Sequence, residues 1–166
     1  MSEELIAIES VVQRCPFTVR RIVRWSECDP AGVVYAGNFT EYMLSAAHLF
    51  RQIILGARPG QRDFGRGYGT PGKALSMVFM GPLWPGDVFD MAVYVGELRE
   101  RTSDLLVHAT RVDDKSSVFA GRATTIYVTT EDRKKTVPIP SEVRAAFEQY
   151  RAMAPEMPEL LNQVSR

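Results

Sequence analysis

The side chains in this sequence best placed to do chemistry fall in one short segment. Asp29 opens Asp29-Pro30-Ala31-Gly32, and Tyr35-Ala36-Gly37-Asn38 follows at once. The first four residues form a turn by composition. The next four lead into apolar residues at helical spacing. A carboxylate is a general base or a nucleophile. The first N–H groups of a helix lack carbonyl partners within it, so they suit a developing oxyanion. The segment thus carries both parts of a site for attack on a carbonyl. It also reads as an ordinary turn, because aspartate commonly opens one.

The competing groups are weaker. Cys28 stands beside Asp29, with no obvious cation to lower its pKa, and reads as a packing residue. His48 falls on the polar side of the predicted helix and His108 in mid-strand, both places where a histidine is ordinarily structural. The few Cys and His residues lack zinc-type spacing, so no metal is expected. Glu41 is a second carboxylate near the helix start, but a capping-box role for it with Asn38 accounts for its position.

Elements that could position Asp29 are legible. Phe17 to Trp25 is rich in strand-forming residues. A helix is predicted over Asn38 to Leu55, with Asn38 as N-cap and Gly56 as stop. Its apolar stripe is Phe39, Met43, Ala46, Ala47, Phe50 and Ile54; Glu41, Ser45, His48 and Gln52 share another side. Gly56 to Lys73 reads as a long loop carrying Arg58, Arg62, Arg66 and Lys73, the kind of length that is functional in a compact domain. Strands follow near Ala74 to Met80, Asp87 to Arg99, Thr102 to Asp113 and Ser117 to Thr129. The links between the last three are short, which favours antiparallel neighbours. Ser141 to Arg151 reads as a last helix capped by Ser141, and the tail after Pro155 as loosely held.

These elements make an α+β domain, one long helix on a five-stranded antiparallel sheet. Both alternating sets in Val88 to Val95 are largely apolar, so the second sheet face predicts oligomerisation. The 166 residues suit a single domain, with a core at about 17–140 and a C-terminal helix and tail at 141–166. Twenty acidic residues balance twenty basic ones, which gives no global reason to bind nucleic acid or an anionic membrane. Two cysteines suggest no disulfide framework. Residues Met1 to Ser10 carry three glutamates and no basic residue, unlike a secretory signal. No stretch approaches the roughly 20 apolar residues of a membrane span. The expectation is a cytoplasmic protein.

The segment from Trp25 through Asp29-Pro30-Ala31-Gly32-Val33-Val34-Tyr35-Ala36-Gly37-Asn38-Phe39 resembles the signature of hotdog-fold thioesterases, in particular the 4-hydroxybenzoyl-CoA thioesterase family. Gly69-Thr70-Pro71 and the Pro85-Gly86-Asp87 turn add to the match, and the resemblance runs from about Phe17 to Pro140. It implies a hotdog fold that is dimerised, with the nearest family members favouring homotetramers. It also implies an acyl-CoA thioesterase with Asp29 as nucleophile or general base. Tyr35, Ala36 and Gly37 would complete the catalytic site at the helix start, with the Ala36 N–H as the main oxyanion donor alongside Gly37. Asn38, Leu44 and Thr70 would border the substrate, and Arg99 or Arg101 would bind the nucleotide phosphates. No cofactor is implied, because coenzyme A belongs to the substrate.

One departure bears on the acyl group. The family's phenol-binding carboxylate falls six residues beyond the motif asparagine, and Leu44 stands there. An apolar side chain cannot satisfy a buried hydroxyl, so a benzoyl-like or medium aliphatic acyl group fits better than 4-hydroxybenzoyl. Two other readings use the same groove: an acyl-thioester dehydratase, for which no histidine falls in the Asp29 motif, and a non-catalytic acyl-CoA or acyl-carrier-protein binder.

Overall fold

A computed structural model describes residues 7–56 and 67–165. Arg58, Arg62 and Arg66 of the basic loop lie outside the described residues. The strands are β1 (Glu9–Arg14), β2 (Phe17–Ile22), β3 (Tyr68–Gly69), β4 (Gly72–Phe79), β5 (Val88–Leu98), β6 (Thr102–Arg111), β7 (Ser117–Ile126) and β8 (Val128–Thr129). The helices are α1 (Ala36–Ile54) and α2 (Ser141–Met153), and Trp25–Glu27 and Glu159–Gln163 are short 3-10 turns. The main sheet is antiparallel, in the order β1-β2-β5-β6-β7-β4; β3 and β8 form a separate pair.

The helix lies across one face of the sheet because its stripe is aromatic and the sheet face opposite is too. Phe39 meets Phe119 edge-on at 5.8 Å, Phe50 meets Phe17 at 5.5 Å, and Tyr42 meets Phe89 at 5.3 Å. Such contacts add to the burial of large apolar rings. Close approach requires Gly121 in β7, since a Cβ there would come within 2.3 Å of the Met43 sulfur, itself fully buried. Helix α2 closes the flank. Its Tyr150 hydroxyl accepts from the Phe17 N–H and donates to the Val93 carbonyl, both at 2.7 Å.

Four expectations need correction. The sheet has six strands, not five. The additional one, β1, is exposed or half-buried throughout, with no hydrophobic alternation to read; it is a strand because it pairs with β2, Glu9 opposite Arg21 and Arg14 opposite Phe17. The caps shift: α1 starts at Ala36 with Tyr35 as N-cap, not Asn38, and α2 has Pro140 rather than Ser141. Ser117 to Thr129 is not one strand, because Tyr127 separates β7 from β8. The tail is not loose. Leu161 and Val164 are buried against Tyr94, Leu106 and Ala120, so the chain's own C-terminal segment covers part of the apolar outer face.

Candidate active site

The segment between β2 and α1 is built from the backbone inward. Trp25–Glu27 turns the chain, and a bridge between Cys28 and Val34 closes the loop around the Asp29 turn. The Asp29 N–H donates to the Val33 carbonyl at 2.8 Å and the Gly32 N–H to the Asp29 carbonyl at 2.9 Å. Gly32 sits at φ +83°, a left-handed conformation that glycine adopts without a Cβ penalty. The Ala31 N–H donates to Asp29 Oδ1 at 2.8 Å. One carboxylate oxygen is therefore held by the turn. Oδ2 has no hydrogen-bond partner among the described residues.

The helix start is tied to this loop through a single carbonyl. The Glu27 oxygen accepts the Tyr35 N–H at 3.0 Å and the Asn38 side-chain amide at 2.7 Å. Asn38 thus fastens the loop to the first turn of α1 instead of capping it, and its amide is occupied in doing so. The Tyr35 side chain makes no capping bond, and Glu41 is exposed with no capping box formed. Ala36 and Gly37 are the first two helical residues, so their N–H groups have no carbonyl one turn earlier. These donors also stand at the positive end of a 19-residue helix. Asp29, Tyr35, Ala36, Gly37 and Asn38 thus belong to one connected loop and helix start.

Beneath the loop is a charge cluster that sequence reasoning missed. Glu27 is 8% exposed and accepts from Arg21 at 2.5 Å, from the Arg24 N–H at 2.8 Å and from the Arg24 side chain at 3.2 Å. Arg21 also donates to Glu9 at 2.8 Å, and Glu9 accepts from Ser45 of α1. A signal was present, since Arg24 and Glu27 stand three residues apart beside the aspartate. Burial by itself would raise the Glu27 pKa; the Arg24 N–H and the Arg21 guanidinium outweigh it and hold the carboxyl below its usual range. A lowered folded-state pKa means that Glu27 contributes its stability above its ordinary value of 4.5 and loses it as pH falls below that. The Tm gap between wild type and Glu27→Gln should therefore be widest near neutral pH and narrow in acid. A gap independent of pH would count against this role.

The remaining groups sort as follows. Burial pushes the Cys28 thiol up, and Glu27, Asp29 and Asp87 add to the effect, the opposite of the environment that activates a thiol. Burial lowers the His108 pKa, and its Nε2 pairs with Ser117 Oγ at 2.9 Å. Leu44 and Thr70 line a common cleft of about 260 Å³ between α1 and the β4–β7 edge, and His48 lines it too. Arg99 and Arg101 lie elsewhere. The Asp29 loop is joined to the start of β5, where the Val23 N–H donates to the Asp87 carbonyl. The two arginines follow the end of that 11-residue strand, roughly 35 Å away at about 3.3 Å per residue. Arg99 is paired with Glu97 at 2.5 Å and Asp104 at 3.1 Å; Arg101 donates to Thr136 at 2.8 Å. A single chain does not bring these arginines to Asp29. Among the described residues no three His, Cys, Asp or Glu side chains converge as a metal site would need. None of the described helices is long and apolar enough to cross a membrane.

Solved structures share this architecture. A gentisyl-coenzyme A thioesterase is 25% identical, with 78% of this chain and 98% of that one covered and a TM-score of 0.68. A 1,4-dihydroxy-2-naphthoyl-CoA thioesterase from Synechocystis is 19% identical over 79% and 94% of the two chains, TM-score 0.70. A Staphylococcus aureus protein solved in complex with CoA is 15% identical over 95% and 96%, TM-score 0.77. No curated protein matches the sequence. The family described as the Thioesterase-like superfamily matches residues 23–147, a span that begins just before the Asp29 loop and ends within α2. The chain belongs to the thioesterase-like superfamily and is a hotdog-fold thioester hydrolase.

Proposed function

We propose that this protein hydrolyses an acyl-CoA thioester to a free acid and CoA, with Asp29 as the reacting carboxylate and the Ala36 N–H, aided by Gly37, as the oxyanion site. One observation carries the assignment: a carboxylate with one oxygen unpartnered among the described residues sits in the loop fastened to a helix N-terminus that has no side-chain cap. As a base, Asp29 takes a proton from water, and the water oxygen bonds to the carbonyl carbon. The carbonyl oxygen becomes an anion held by the helix N–H groups. The C–S bond then breaks, and CoA leaves with the proton from Asp29. As a nucleophile, Asp29 itself bonds to the carbonyl carbon and expels CoA thiolate, and water cleaves the resulting anhydride. No cofactor enters either route. The neighbours named as CoA thioesterases, and the one solved with CoA, support CoA as the carrier.

The acyl group we propose has an apolar body, benzoyl-like or medium aliphatic, lodged beside Leu44 and Thr70. Thiol release from a panel of acyl-CoAs tests this. Benzoyl-CoA or a medium-chain ester should be turned over faster than 4-hydroxybenzoyl-CoA. Silence toward every acyl-CoA would end the hydrolase reading, and a preference for the phenol would end the assignment of the acyl group.

The working unit we propose is a cytoplasmic homo-oligomer, built first by edge pairing of two β4 strands. The edge strand β4 exposes Leu75 and Phe79, at 50% and 56%, whereas the opposite edge, β1, is largely polar. A two-fold antiparallel pairing reverses the second sheet. The Arg99–Arg101 end of one subunit then lies toward the Asp29 end of the other, where it reaches the nucleotide. A folded monomer at micromolar concentration in sedimentation would refute the pairing. Changing Arg99 and Arg101 to Ala should raise KM more than it lowers kcat. An equal response from short pantetheine thioesters would show that the nucleotide is not what these residues hold.

A further inference from the structure

A buried charge with no counter-ion among the described residues lies in the cleft beside α1. Arg51 is 8% exposed. Its guanidinium rests over the rings of Tyr127 and Phe147, each at 5.6 Å, and Nη1 donates to the Tyr127 hydroxyl at 3.3 Å. Nη2 is buried without a hydrogen-bond partner, and no carboxylate among the described residues pairs with it. Two other charged residues are as deeply buried, and both are matched. Glu27 has Arg21 and Arg24, and Asp104 has Arg99 and Thr124. Burying a cation without an anion is costly, so such groups are paired or serve a ligand.

The surroundings say what that ligand looks like. Arg51 lines the same cleft as Leu44, His48, Thr70 and Leu75, whose walls mix aliphatic side chains with hydroxyls and this one guanidinium. Leu44 and Arg51 are seven residues apart on one face of α1, about 10 Å along the axis. An acyl group running along α1 from Leu44 passes His48 one turn on and reaches the Arg51 guanidinium about a turn further. Guanidinium presents a planar fork of donors that suits carboxylate.

We infer that the cleft takes an acyl group with an apolar body and an anionic far end, and that Arg51 binds this end as a carboxylate. The substrate class is then the half-thioester of a dicarboxylic acid. The inference rests on the acyl-CoA reading above and sharpens it, since that reading specifies only the body of the acyl group.

The test is made by binding, so it does not depend on turnover. S-(ω-carboxyalkyl)-CoA thioethers of graded chain length, and their methyl esters, cannot be hydrolysed at the carbon–sulfur bond and can be titrated calorimetrically into the full-length protein. At the chain length that spans the cleft, the acid should bind at least about 10-fold more tightly than its ester, the lower end for a charge-assisted contact. Arg51→Gln should erase the difference, and Arg51→Lys should keep part of it. Equal affinity of acid and ester along the whole series in the wild-type protein overturns the inference, even if no Arg51 variant folds. An acid preference that survives Arg51→Gln overturns it as well. Failure of the hydrolase reading shows separately, as absence of thiol release from any neutral or acidic acyl-CoA.

Discussion

Asp29→Asn should lower kcat by at least about 100-fold, the scale of a lost general base, while leaving the fold and acyl-CoA binding largely intact. The substitution is nearly isosteric. The oxygen that accepts the Ala31 N–H remains available as the amide carbonyl, so the turn keeps its internal bond. What disappears is basicity and nucleophilicity at the other oxygen. Stopped-flow thiol release, paired with titration of a non-hydrolysable thioether, separates the two effects. Single turnover in ¹⁸O-labelled water then distinguishes the chemical routes. Label appearing first in the Asp29 carboxyl means an anhydride, and label going directly to the product acid means water activation. A folded Asp29→Asn protein that hydrolyses acyl-CoAs at close to the wild-type rate would refute the assignment, and Glu41 would be the next carboxylate to change.

Ala36→Pro is expected to cost a comparable factor by a different route. Ala36 is the first helical residue, where proline is favoured because its fixed φ suits the helix and its missing N–H has no intrahelical role. Tyr35 before it has φ −60° and ψ 132°, the extended conformation required ahead of proline. The helix should therefore form as before. The N–H assigned to the oxyanion is gone, and loss of one such donor costs about 100- to 1000-fold in kcat. Circular dichroism and Tm should be close to wild type while kcat collapses and KM changes little. A folded Ala36→Pro protein with near-normal kcat would move the oxyanion site elsewhere. A control, Ala36→Ser, keeps the N–H and should retain activity.

The proximity of the candidate residues was legible because it is local. Asp29, Tyr35, Ala36, Gly37 and Asn38 lie in one continuous stretch, so turn composition and helix-start chemistry sufficed to bring them together. Asn38 was misread as a cap for a reason equally local. Asparagine is a good N-cap by type, and only the Glu27 carbonyl, eleven residues earlier, explains why its amide is used as a tie. The Arg99–Arg101 pair could not be placed relative to Asp29, because that distance depends on the length and direction of β5.

By itself the sequence determined the α+β class, the long helix with its aromatic stripe, the strands from β4 to β7, and the turn at Asp29. Each is written in a periodicity or a turn signal that a few neighbouring residues carry. The tertiary structure alone decided the rest. Strand β1 has no apolar alternation and exists through its ladder to β2. The C-terminal segment becomes ordered because Leu161 and Val164 find Tyr94, Leu106 and Ala120 on the outer sheet face. Arg51 is a basic residue in the last turn of a helix, a place where a cation complements the helix dipole. It becomes a buried cation, with no carboxylate partner among the described residues, only when Tyr127 and Phe147, more than seventy residues away, close over it, since burial is a property of the packed layers and not of the local chain.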